Sequence, residues 1–195
     1  MEQKKRVLFI DRDGTLIKEA PPTYQLDSFE KLCFYPNVFK YMRCIAEELE
    51  YKLVMITNQD GLGTAAFPEE TFWPVHNFVM ETFKNESITF SEVLIDKTFP
   101  HEHAPTRKPG TGMVLHYLNS PDYDITNSFV VGDRITDIQL AKNMGCKGIW
   151  LKEDANLGAG EIADEVSSLQ ANTVALSTLH WKEIYMFLKN EKSHG

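Results

Sequence analysis

Short apolar runs recur along the chain at residues 7–10, 53–56, 93–95, 129–131 and 148–151. Runs this short, without polar alternation, predict strands buried on both faces. The segments between them carry apolar residues at helical spacing. Residues 36–50 place Val38, Tyr41, Ile45 and Leu49 on one stripe, with Pro36 suited to a helix start. Residues 68–84 place Phe72, Val75, Val79 and Phe83 on one face, and 113–118 and 136–144 also read as helices, the latter closing at Gly145. Strand and helix therefore alternate, which predicts an α/β fold with a doubly wound, mostly parallel Rossmann-like sheet and helices on both faces. Residues 17–35, with Pro21, Pro22 and several aromatics but no clean period, are expected as a loop or small hairpin over the rim. No segment is long enough for a cap domain. From Asp154 the pattern turns irregular until a final helix near 179–189, so the expected division is a main domain over 1–165 and a C-terminal helix or linker over 166–195.

In such sheets ligands bind beyond the carboxyl ends of the strands, and the polar residues of interest fall there. Asp11 and Asp13 follow the first run, Thr57 and Asn58 end the second, and Gly132 and Asp133 end the fourth. Carboxylates at the end of a buried strand are costly to place for stability alone. Their types suit hydrolysis of a phosphate monoester. Asp11 can act as nucleophile and metal ligand, and Asp13 can protonate the leaving oxygen and later deprotonate water. Gly14 permits an unusual turn. Asp133 can complete a magnesium site with Asp11, because that ion prefers hard oxygen ligands, and Asp137, one helical turn on, can support it from behind. Thr57 and Asn58 offer donors for phosphoryl oxygens. Lys108 offers a point charge, with Arg107 beside it as a substrate contact and Pro109 fixing the chain just after.

Composition narrows the classes further. With 195 residues, 43% of them hydrophobic, the chain can bury one sizeable core. A net charge of -8 and the lack of a basic tract argue against broad nucleic-acid binding. Three scattered cysteines, Cys33, Cys44 and Cys146, fit a reducing compartment, and no apolar stretch is long enough for a signal peptide or a membrane span, so a cytoplasmic location is expected.

The Asp-x-Asp, the Thr after the second strand, the Lys and the late acidic pair occur in the order found in the haloacid dehalogenase superfamily, which the chain resembles in its capless form. That resemblance implies that the backbone carbonyl of Asp13 also ligates magnesium. The run Leu53-Val54-Met55-Ile56-Thr57-Asn58-Gln59-Asp60-Gly61-Leu62-Gly63-Thr64, followed by Phe67-Pro68, together with residues 9–17 and 130–141, is similar to the histidinol-phosphatase domain of the bifunctional histidine-biosynthesis enzyme. The similarity covers residues 6–150 and implies L-histidinol phosphate as substrate. The relative that hydrolyses heptose bisphosphate usually carries another residue where Asp60 stands and ranks second. A nucleic-acid-end phosphatase and a phosphorylatable regulatory module are further alternatives. Asp13 weighs against the module, because an acid and base beside the nucleophile speeds hydrolysis of the phosphorylated state.

The family commonly carries a cysteine-rich zinc loop before the Arg-Lys-Pro. Here residues 99–106 hold His101 and His103 but no cysteine, so no structural zinc is expected. The bifunctional relatives continue into an imidazoleglycerol-phosphate dehydratase, a possible covalently linked partner. The substrate's amine calls for a carboxylate, for which Glu19 is the candidate, with Asp27, Tyr24 and Phe29 in the same loop.

Overall fold

Six parallel strands, β1 (Arg6–Ile10), β2 (Tyr51–Asn58), β3 (Glu92–Asp96), β4 (Phe129–Gly132), β5 (Lys147–Leu151) and β6 (Val174–Thr178), form one sheet in the order β3-β2-β1-β4-β5-β6. The computed structural model describes residues 4–152 and 163–192. β1 lies between β2 and β4, which is why its residues 7–10 are fully buried and apolar on both faces. The chain winds outward from β1 through β2 to β3, then returns to β4 and continues the other way. The order reverses between β1 and β4, and the crevice at such a switch point is where open α/β sheets bind ligands.

Helices cover both faces. α1 (Val38–Glu48) and α2 (Glu69–Asn85) pack on one side through Val38, Met42, Ile45, Val75, Val79 and Phe83 against Leu8, Ile10, Leu53 and Met55. On the other, α3 (Leu115–Leu118) and α4 (Ile135–Met144) bring Tyr117, Leu140 and Met144 against Val7, Phe9, Val54 and Val130. Gly145 closes α4 with a left-handed φ of 78°, as the sequence predicts. Residues 17–35 form an irregular excursion tied at its base, where Lys18 N–H donates to Cys33 O at 2.7 Å and Tyr35 N–H to Leu16 O at 3.0 Å. No separate cap domain stands among the described residues, and none of their helices is long and apolar enough to cross a membrane.

The irregular stretch expected from Asp154 lies outside the described residues as far as 162. Beyond it the structure departs from an irregular tail. α5 (Ala163–Asn172) leads into β6, which pairs with β5 at the sheet edge, and α6 (Trp181–Lys192) packs beside α1 through Trp181, Ile184 and Leu188. β6 has alternating burial and only five residues, so its apolar signal is weak.

Candidate active site

Asp11 leaves β1 at the switch point, its N–H bonded to Val131 O at 2.9 Å and its residue 5% exposed. Across the crevice Asp133 follows β4, and Asp137 sits in the first turn of α4. Carboxylate oxygens of the three lie within 4.8 Å of one another. Lys108 enters this group from the opposite loop. Its Nζ stands 2.7 Å from Asp11 Oδ1 and 2.7 Å from Asp137 Oδ1. Burial works against the lysine's charge, but Asp11 and Asp137 outweigh it and hold the ammonium above its ordinary range. The second Asp137 oxygen accepts the Arg134 N–H at 3.1 Å, so both its oxygens are engaged inside the protein.

Close packing of the turns makes this convergence possible. Gly14 has φ 78°, and a Cβ there would stand 2.2 Å from Asp133 Oδ2. Gly132 faces Asp137 as closely, with a built Cβ 2.2 Å from Asp137 Cγ. Two buried indoles hold the loops by their backbones: Trp181 Nε1 donates to Thr15 O at 3.0 Å, and Trp150 Nε1 to Asp133 O at 2.7 Å.

Crowding shows in the electrostatics. Burial pushes the Asp11 carboxyl up to about 7; Lys108 works against the shift, and Asp137 and Asp13 add to it. Burial, then Asp11, Asp137 and Glu19, push Asp133 well above the usual carboxylate range, with Arg134 opposing. When all three carboxylates are ionised, Lys108 balances one charge and leaves two. An all-oxygen donor set with two uncompensated negative charges fits a hard divalent cation such as magnesium.

Asp13 points elsewhere. Its Oδ1 accepts Arg12 Nη2 at 3.0 Å; its Oδ2 accepts Arg12 Nε at 3.0 Å, Gln59 Nε2 at 2.7 Å and, more weakly, Thr57 Oγ1 at 3.4 Å. Thr57 is buried at the end of β2 within reach of this carboxylate. Asn58, expected to offer its amide to phosphoryl oxygens, instead engages Lys108: its Nδ2 donates to Lys108 O and its Oδ1 accepts Lys108 N–H. Arg107, expected as a substrate contact, is turned away into an ion pair with Asp60, and its Nη1 also donates to Thr98 O at 2.8 Å. Glu19 pairs with Arg134 at the mouth, Asp27 pairs with Lys31 at 2.8 Å, and Phe29 packs edge-on against Phe78 while Tyr24 is exposed. The loop holding His101 and His103 is ordered around Asp96, which accepts from Thr98 and Thr106.

The sequence assigns no site role to Arg12, Gln59, His76 or the two indoles. Arg12 and Gln59 adjoin the motifs, which is the signal available for them. His76 and the tryptophans come from distant elements and carry none.

The strand order, with the carboxylates and the buried lysine gathered at its switch point, defines a HAD-like fold. Residues 105–172 match the HAD-hydrolase-like family model. Among individual proteins, the chain is 51% identical over 185 residues to the histidine biosynthesis bifunctional protein HisB of Bacteroides fragilis, covering 95% of this chain and 48% of that protein. It is also 51% identical over 187 residues to HisB of Spirosoma linguale, covering 95% of this chain and 49% of the relative. The chain thus spans about half the length of these curated relatives. Its fold is similar to that of D,D-heptose 1,7-bisphosphate phosphatase from B. bronchiseptica, crystallised with magnesium and phosphate, with TM-score 0.75, 19% identity, and coverage of 95% of this chain and 99% of that one.

Proposed function

We propose that this chain is a magnesium-dependent phosphatase that converts L-histidinol phosphate to L-histidinol and phosphate in histidine biosynthesis. The observation that carries the reading is a buried Asp11 paired with Lys108, beside Asp133 at the switch point and two residues from a separately held Asp13. The similarity to HisB supports the substrate.

In this reading an Asp11 oxygen attacks phosphorus, forming an aspartyl-phosphate as the bond to the alkoxide breaks, and Asp13 gives its proton to the departing oxygen. Asp13 then takes a proton from water as that water attacks phosphorus, releasing phosphate and restoring Asp11. Lys108 and Thr57 donate to the phosphoryl oxygens. Asn58 places Lys108 by its backbone, and Arg107 with Asp60 braces the same loop. Asp11 and Asp133, with the Asp13 carbonyl implied by the family, would hold magnesium, which when bound offsets repulsion between the carboxylate and the phosphate dianion. Glu19 is the carboxylate we assign to the substrate amine, released from Arg134 as substrate enters.

Zinc has no part in this reading, since the 99–106 loop offers no thiol. The cytoplasm is the proposed location. An imidazoleglycerol-phosphate dehydratase is the linked partner that the longer bifunctional relatives support. The test is magnesium-dependent phosphate release from L-histidinol phosphate, compared with heptose bisphosphate and a 3'-phosphorylated oligonucleotide, with Asp11→Asn as blank. Preference for either competitor would move the chain to another substrate class.

A further inference from the structure

Arg12 lies between the two catalytic aspartates in sequence, yet it is fully buried and belongs to neither the Asp11 cluster nor the solvent. Its guanidinium forks onto both Asp13 oxygens, donates through Nη2 to Gln59 Oε1 at 2.9 Å, and through Nη1 meets His76 Nδ1 at 3.2 Å. Arginine has no acceptor, so His76 Nδ1 must be the unprotonated acceptor and the imidazole neutral. Phe72 completes the enclosure, with the Arg12 Cζ 5.0 Å from its ring centroid and the His76 ring stacked on it at 5.0 Å. Phe72 is itself packed with Leu62 and Phe67. Leu62 and Phe67, from the loop after β2, therefore back the wall behind this arginine.

We propose that Arg12, anchored by His76 and Gln59, is a positioning residue that holds the Asp13 carboxyl where it delivers a proton to the leaving oxygen. A long side chain left free would swing between rotamers; four donor contacts and an aromatic wall fix one. His76, two turns into α2, fixes the far Nη1, so rotation of the guanidinium away from Asp13 would break a buried hydrogen bond. This inference rests on the phosphatase reading and assigns the buried histidine a task that catalysis by Asp11, Asp13 and Lys108 leaves open.

Leaving groups separate positioning from structural support. An alkoxide needs the Asp13 proton as it departs, whereas p-nitrophenolate is stable without one. His76→Phe keeps the stacked ring and removes the acceptor; His76→Asn restores an acceptor near Nδ1; Gln59→Met removes the second anchor while keeping the chain's length. Because Asp13 also serves the hydrolysis step that both esters share, first-turnover release of L-histidinol and of p-nitrophenol, which reports leaving-group departure alone, is measured with magnesium, alongside thermal melting. His76→Phe and Gln59→Met are expected to lose about 10–100-fold in the first-turnover rate on the alkyl ester, a part of what general acid catalysis supplies. Loss on the aryl ester is expected to stay within about 3-fold, with His76→Asn recovering most of the alkyl activity. Equal losses on both esters, or none on the alkyl ester, would overturn the positioning role while leaving the phosphatase reading intact. A wild-type chain inactive on both esters would overturn both.

Discussion

Asn58 and Lys108 exchange two hydrogen bonds across fifty residues of chain, Asn58 Nδ2 to Lys108 O at 3.2 Å and Lys108 N–H to Asn58 Oδ1 at 3.0 Å. The amide at the end of β2 therefore sets the height of the loop from which the ammonium reaches Asp11. Asn58→Ala is expected to lower kcat by up to about 100-fold by misplacing Lys108, and to cost roughly 1–3 kcal/mol. Steady-state kinetics and urea unfolding check the two effects separately.

Asp11→Asn should reduce turnover by about 10⁴-fold or more, because the amide is not a nucleophile. Its stability should also depart from wild type in a pH-dependent way. The folded carboxyl sits near 7, above its value of 3.8 in the unfolded chain, so the metal-free folded state holds the extra proton between those values. Asp11's contribution to stability is complete below about pH 4 and is lost as pH rises toward about 7. The metal-free variant, neutral throughout, should melt close to wild type at low pH and above it at about pH 8. Magnesium should reverse the order by binding the wild-type carboxylates. Melting curves with and without the ion test this.

Gly14→Ala meets two obstacles, a left-handed φ of 78° and an Asp133 oxygen 2.2 Å from the new carbon. The backbone term alone costs roughly 1–2 kcal/mol. Displacement of Asp133 should also weaken magnesium binding, read by titration calorimetry, and the two losses should appear together.

His76 makes the opposite contribution in acid. Burial, with Arg12 beside it, pushes the imidazole down to about 4 from an ordinary 6.5, and Asp13 opposes the shift. The unfolded chain takes up a proton first, so the stability that neutral His76 provides is present above about pH 6.5 and is lost as pH falls toward about 4. The loss is on the order of 3 kcal/mol. His76→Asn, which does not titrate, should show a shallower decline over that window in urea unfolding.

Much of this was visible in the chain. Residues 7–10 announce a central strand because both faces must be apolar there, and Phe72, Val75, Val79 and Phe83 mark the buried face of α2 as drawn. β6 was not visible, since an edge strand buries alternate residues and Val174–Thr178 offers little to distinguish it from a loop. Among the site residues, Asp11 and Asp133 stand out because ionised groups are rarely placed at the ends of buried strands without cause, and Lys108 because it falls between the strand-end motifs. The partners of Asn58 and Arg107 were not legible for a physical reason: an amide or guanidinium next to a motif can face a ligand or the protein, and the fold of the 105–110 loop turns them to Lys108 and Asp60. His76 is unreadable for the same reason, its partner lying 64 residues away.

Two of the chain's tryptophans hold the backbones of the acidic turns, Trp181 at Thr15 and Trp150 at Asp133. Each indole is buried and donates a single hydrogen bond to the turn it supports, while Trp73 is engaged with Glu69 on α2. The molecule consequently carries its own optical reporter. A displacement of either turn alters the hydrogen bond of a buried indole, so a ligand that moves either turn is read by intrinsic fluorescence without a label.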